Sequence, residues 1–140
     1  MDISREERWQ VMGWNEPWDC FMKYLERHFP FDEKVLRDMP LICRNAVTAH
    51  LYDMEVTGDG HSTFLELYGD TVTAHMLTSA FGQMNAPAAV TDITREFGKI
   101  SPDDEEALEE LDRNFYSLPP YAITETIAEY VKNHIKHFKS

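Results

Sequence analysis

Carboxylates are the residues of this chain whose number and spacing could do chemistry. Seven acids fall within residues 103–112. In a helix with a rise of about 1.5 Å per residue they span roughly 15 Å, or about one negative charge per 2 Å. Duplex DNA carries one charge per roughly 1.7 Å of its axis. The row therefore predicts a surface that attracts a basic, DNA-binding protein; its members are Asp103, Asp104, Glu105, Glu106, Glu109, Glu110 and Asp112.

A second acidic stretch coincides with a segment that lacks basic residues. No Lys or Arg occurs from Asn45 to Thr94, so the acids there have no cation nearby in the sequence. For the row at 103–112 the alternative is an ordinary solvated face, in which the first-turn carboxylates complement the positive end of the helix dipole. The second candidate partner-binding set is Asp53, Glu55, Asp59, Glu66 and Asp70.

Composition restricts the class of partner. The chain has 140 residues, 25 acids and 13 Lys plus Arg, which gives a formal charge of −12. That charge disfavours nucleic acid and anionic membranes, because both are polyanions, and favours a basic protein as partner. The pattern leaves open whether the chain is a monomer or a homodimer.

The cysteines and the N-terminal segment indicate a compartment. Cys20 and Cys43 make no disulfide framework, the first residues lack a secretory signal, and no apolar run is long enough to span a membrane. We therefore expect a protein of the reducing cytoplasm.

Catalytic and metal-binding patterns are weak. The six histidines include no His-Glu-x-x-His arrangement, and the two cysteines are far apart, so we expect neither a metal nor a cofactor. Exposed carboxylates keep ordinary pKa values and are poor acid–base catalysts. We therefore expect a protein that is not an enzyme. The alternative is a small enzyme with His50, Glu55 and His61 gathered around a glycine turn.

The elements that must position these residues are helices. Apolar residues recur at steps of three and four, and no strand alternation exceeds four residues. Ser4, Asp32, Asp70 and Ser101 are predicted helix caps. The fold is therefore predicted to be all-α, with about eight helices in a single domain over 1–140, in which 1–14 form an arm or a helix.

Two predictions concern the helices around the acids. The Gly58-Asp59-Gly60 segment predicts a helix end near Val56 and a positive φ at one glycine, with Gly60 favoured. The helix that carries the dense acids also has an apolar stripe. This stripe is predicted to be core: Leu108, Leu111, Phe115 and Leu118. The inner face of the preceding long helix is predicted to be Ile42, Cys43, Ala46, Val47, Leu51 and Met54, and the last helix is predicted to run unbroken from Ile123 to Phe138.

Several segments resemble a bacterial helical family of unknown function that includes the DNA-mimic proteins. Residues 55–65 are similar to its Glu-Val-Asn-Asn-Gly-Gly-Phe-x-Gln-Phe-Phe pattern, with matches at Glu55, Val56, Gly60 and Phe64. Residues 85–97 are similar to its Ile-Gly-Ala corner and following helix, and 111–116 to its Leu-Asp-x-x-Phe-Tyr segment. Tyr130-Val131 with Phe138 is similar to its ending. The resemblance covers about residues 15–140.

The resemblance implies an all-α acidic domain that imitates DNA toward a DNA-binding protein such as a transcription factor, without enzymatic activity. An alternative interaction function is immunity, because a small acidic protein can neutralise a toxic nuclease by covering its basic site. Both hypotheses depend on the same negative charge. A neighbouring toxin gene would favour the second.

Overall fold

The computed structural model describes residues 3–139 and is all-helical over that range, which confirms the predicted fold class. The described chain has nine helices, one more than expected. They are α1 (Arg5–Met12), α2 (Asn15–His28), α3 (Glu33–Asp38), α4 (Leu41–Tyr68), α5 (Ala74–Gln83), α6 (Ala88–Phe97), α7 (Glu105–Tyr116), α8 (Ala122–Asn133) and α9 (Ile135–Phe138). The segment 1–14, which was predicted to be an arm or a helix, contains α1. Residues 1 and 2 of this segment lie outside the described range.

Helix α4 lies at the centre of the packing, in contact with α5, α7, α8 and α9. Because other helices pack around α4, its residues 45–49 are all buried. The buried residues of α4 are therefore not confined to one stripe along the helix. Tyr52 and Val56 continue the buried face toward the C-terminal half of the helix. Met54 was predicted to face inward and is 61 % exposed, so that assignment was wrong.

Two predicted caps are confirmed and two lie elsewhere. Ser4 Oγ accepts a hydrogen bond from the amide of Glu7, and Asp32 Oδ1 accepts one from the amide of Val35. Helix α5 is capped by Thr73 rather than by Asp70, and α7 by Asp104 rather than by Ser101. In each case a cap-competent side chain closer to the apolar stripe takes the role.

The predicted last helix is divided into α8 and α9 by His134. Its Nδ1 lies 2.8 Å from the carbonyl oxygen of Tyr130, the acceptor that the His134 backbone N–H would use in a continuous α-helix. The backbone N–H bonds to the carbonyl of Val131 instead, one residue closer. This local competition ends α8 at Asn133.

Three tryptophans join α1 and α2 to α8. Trp9 packs edge-on against Trp14 and Trp18, with ring centroids 5.6 and 5.9 Å apart. The indole N–H groups of Trp9 and Trp14 donate to Glu125 and Glu129 of α8. The cluster is core packing in which the polar N–H groups of Trp9 and Trp14 are satisfied. No helix in the described part of the chain is long and apolar enough to cross a membrane.

Candidate partner-binding surface

Helix α7 has one face in the core and one in solvent. Leu108, Leu111 and Phe115 are buried, as predicted, and Phe115 packs against the rings of Tyr52 and His61. Each residue of an α-helix is rotated by about 100° from the one before it. The glutamates that lie between the buried apolar residues in the sequence therefore point outward. The amphipathic sequence of α7 therefore both anchors the helix and holds its carboxylates at the surface.

Four glutamates form what we call the α7 acidic row: Glu105, Glu106, Glu109 and Glu110, all exposed. Arg113 lies beside the row and pairs with Glu110. That hydrogen bond, together with the negative charges of Glu109 and Glu106, raises the pKa of Arg113 above its ordinary value. The row is thus four exposed carboxylates, and Arg113 is the one base in an ion pair with it among the described residues.

The remaining acids of the predicted run have different positions. Asp103 is exposed in the turn before α7, and Asp104 is the N-cap, where its Oδ1 accepts from the amide of Ala107 at 3.1 Å. The run is therefore not helical from its first residue. Asp112 is only 22 % exposed and points toward α4.

Asp112 belongs to a buried hydrogen-bonded network. Its Oδ1 accepts from the backbone N–H of His61 at 2.8 Å and lies 2.6 Å from the His61 Nδ1. An ionised carboxylate only accepts, so Nδ1 carries the proton and Nε2 accepts from the Tyr52 hydroxyl, 2.6 Å away. His61 is fully buried and burial lowers its pKa, partly offset by Asp112, which is consistent with a neutral imidazole.

Gly60 makes this network possible. Its φ of 87° and ψ of 174° break α4 there, a backbone conformation that is essentially reserved for glycine. The positive φ predicted for Gly60 is thus confirmed, whereas the helix continues to Asp59 rather than ending near Val56. A Cβ on Gly60 would lie 2.7 Å from Asp112 Oδ2. The Asp112 carboxylate fits against the bare backbone and caps the second half of α4 from another helix.

The acids of the second set differ in exposure and in hydrogen-bond partners. Asp53 is half-buried and accepts from the hydroxyls of Thr57 and Thr124, and burial raises its pKa. Glu55 is half-buried, and its partial burial together with Asp59 raises its pKa. Asp59 is exposed at the break in α4, and Glu66 and Asp70 are exposed beyond it.

The alternative catalytic constellation does not assemble. His50 and Glu55 line a groove of about 430 Å³ with Phe29 and Met54, whereas His61 is enclosed in the core with Phe97 and Phe115. His50 packs edge-on against Trp18 and Phe21. Across residues 3–139, no three His, Cys, Asp or Glu side chains are arranged to hold a metal ion.

Comparison with known proteins decides the family. The model of the DMP19-like protein family matches residues 37–134, more than two thirds of the chain. The chain belongs to the DMP19-like protein family. This confirms the resemblance to the helical family that includes the DNA-mimic proteins. The match begins within α3 and ends after α8, so it contains α4 with its break at Gly60 and all of α7. No curated protein and no solved structure matches the chain.

The network of Tyr52, His61 and Asp112 is the part of this family member that sequence reasoning missed. Asp112 was grouped with its acidic neighbours, and His61 with a catalytic hypothesis. The helical period could have indicated that Asp112 is partly buried. It lies four residues after Leu108, so it is next to the buried stripe on the helix surface. The sequence separation of 51 residues left its partner unidentified.

Proposed function

We propose that this chain is an acidic protein-binding domain that mimics DNA and occupies a basic DNA-binding protein such as a transcription factor. The observation that carries the proposal is the α7 acidic row, four exposed glutamates with a single base, in a member of the DMP19-like family. We further propose that α1 to α9 act as one domain in the cytoplasm, where Cys20 and Cys43 remain free thiols.

Charge spacing supports mimicry. From Glu105 to Glu110 the helix rises about 7.5 Å, so the four carboxylates lie at about 2 Å of axis per charge, near the roughly 1.7 Å of duplex DNA. Asp103, exposed in the turn before the helix, extends the row by one further charge. A surface of Lys and Arg that binds DNA phosphates would meet a similar density of negative charge here.

Recognition also needs a feature that is not charge, because charge alone attracts many basic surfaces. Tyr116 provides one: its ring is 55 % exposed, and its hydroxyl donates to the carbonyl of Val56 at 2.9 Å, which fixes the ring's position. Tyr116 lies on the same side of α7 as Glu105 and Glu109, at steps of four and seven residues. A rigid aromatic beside carboxylates is typical of specific interfaces.

The testing experiment is capture with competition by DNA. The purified chain is immobilised, exposed to a lysate of its source cells at low salt, and eluted with either a salt gradient or an excess of duplex DNA. We expect a basic DNA-binding protein that both treatments release, because DNA and the chain compete for one surface. A captured protein that salt releases but duplex DNA does not would contradict mimicry, as would the absence of any basic protein.

A further inference from the structure

A cavity of about 400 Å³ lies on the surface of α8, remote in sequence from the α7 acidic row. Its walls come from α8, from Trp14 before α2, from the α5–α6 loop and from Pro119 and Pro120 before α8. The volume is within the range of small-ligand sites, about 300–1,000 Å³. The charges and hydrogen-bonding groups on these walls indicate the class of ligand.

Glu129 supplies the lining of the cavity with a carboxylate that has no ion pair among the described residues. Its side chain is half-buried, and its Oε2 accepts from the indole N–H of Trp14 at 2.9 Å. Within residues 3–139 its Oε1 has no partner, and no Lys or Arg lies within ion-pair distance. The neighbouring Glu125 differs, because Arg8 and Trp9 both donate to it. A half-buried carboxylate without a cation favours a positively charged ligand.

The other polar groups of the cavity include several acceptors. The carbonyl of Tyr130 only accepts, so His134 Nδ1 donates to it. Asn85 and Asn133 also line the cavity, and each side-chain amide offers an acceptor oxygen together with N–H donors. Arg8 is the one Lys or Arg among the described lining residues; it pairs with Glu125, and its guanidinium lies 5.3 Å from the Trp14 ring centroid. A ligand with several N–H donors would complement this lining.

Apolar residues form the rest of the wall, among them Met84, Pro87, Pro119 and Pro120. They can contact methylene groups while the charged end of a ligand lies at Glu129. We propose that the cavity binds an alkyl-guanidinium or alkyl-ammonium cation, with Glu129 as its counter-ion. The source is either a free small cation or a Lys or Arg side chain of a partner protein. The proposal does not depend on DNA mimicry, because none of its residues belongs to the α7 acidic row.

The test is a titration with butylguanidinium and with butylurea, its neutral near-isostere, followed through the indole N–H resonances of the three tryptophans by NMR. Because Trp14 donates to Glu129, its resonance should shift saturably with butylguanidinium. The affinity for butylurea should be at least tenfold weaker. No saturable shift with butylguanidinium, or equal affinities for the two compounds, would overturn the proposal.

Glu129→Gln is the deciding variant, because its amide oxygen can still accept from Trp14 while the charge is lost. We expect at least a tenfold loss of butylguanidinium affinity, with the indole resonances of the free variant otherwise preserved. Glu26→Gln makes the same change of charge on the exposed surface of α2 and should leave the affinity unchanged. Unchanged affinity in Glu129→Gln would overturn the proposal.

A second ligand distinguishes the two sources of the cation. The peptide acetyl-Gly-Arg-Gly-amide presents the same guanidinium on a peptide backbone. Binding at least as tight as that of butylguanidinium would assign the cavity to a partner's side chain. Binding of butylguanidinium alone would assign it to a free small cation.

Discussion

His61, which is buried, and His50, which is half-buried, have opposite hydrogen-bonding situations in α4. His61 has a partner for each ring nitrogen and joins α4 to α7 through Asp112. His50 lies between the rings of Trp18 and Phe21, and its Nδ1 is buried without a hydrogen-bond partner among residues 3–139. Residue chemistry alone could not separate them, since both were equal members of one catalytic hypothesis. Their environments depend on which helices pack against each side of α4.

His50 should make stability depend on pH. Burial lowers its pKa to about 4, whereas in the unfolded chain it is about 6.5. Below pH 6.5 the unfolded chain therefore binds a proton that the folded chain excludes, so stability is present above that pH and is lost as pH falls toward 4. Between pH 7.5 and 5.5 we expect the free energy of unfolding to fall by about 1 kcal/mol on account of His50.

The measurement is urea denaturation at several pH values in that window for wild type and His50→Gln. The variant should show a shallower decline with falling pH. Some dependence should remain, because burial also lowers the pKa of His61. His75→Gln, on an exposed histidine, controls for the substitution itself and should keep the wild-type slope. Identical slopes in wild type and His50→Gln would contradict the burial of His50 as the cause.

At the scale of elements, the sequence predicted where helices occur better than where they begin. The apolar stripe of α7 was predicted correctly because Leu108, Leu111 and Phe115 follow the helical period. The start of α7 was predicted too early. Ser101-Pro102 is a typical helix start in sequence, but the residue that caps α7 is Asp104. The division between α8 and α9 depends on how one His134 ring is oriented, which no periodicity reveals.

The break in α4 offers a matched pair of glycine substitutions. Gly60→Ala should destabilise the fold by about 1–3 kcal/mol, because of its positive φ, and further because the new Cβ would lie 2.7 Å from Asp112 Oδ2. Gly58→Ala should be neutral or stabilising by up to about 1 kcal/mol, since Gly58 is helical and nothing lies within 4 Å of its Cβ position. Thermal denaturation of both variants compares them. Equal melting temperatures would contradict the role of Gly60.

At the scale of the whole molecule, the acids differ in what they are free to do. Composition predicted an acidic surface but assigned all twelve candidate carboxylates to it. Asp104 instead caps a helix, Asp112 bonds His61, and Asp53 bonds two threonines. The sequence could not make this division, because a carboxylate's role depends on the tertiary neighbours within reach. The glutamates of the α7 acidic row remain exposed, as do Asp59, Glu66, Asp70 and Asp103, and we propose the row as the surface that meets a partner.

The proposed function predicts how association depends on salt. Glu105, Glu106 and Glu109 are exposed and make no hydrogen bond or ion pair in the described chain, so their joint change to Gln should preserve the fold. Fewer charges would steer the captured partner less strongly. We expect an association rate lower by about tenfold at low ionic strength and a flatter dependence on salt. Asp104 and Asp112 stay unchanged because they stabilise the fold.

The matched control replaces Glu6, Glu26 and Glu33 by Gln, which removes the same charge from exposed positions on α1, α2 and α3. Association rates of wild type and both triple variants are measured from about 20 to 300 mM salt, a range over which the Debye length falls from roughly 20 Å to under 10 Å. Circular dichroism verifies that each variant is folded. If both triple variants lose rate equally, net charge alone steers binding, and the α7 acidic row is not the contact surface. A loss confined to the α7 variant means that these carboxylates form the contact surface, and release of the partner by duplex DNA then tests whether they take the place of DNA phosphates.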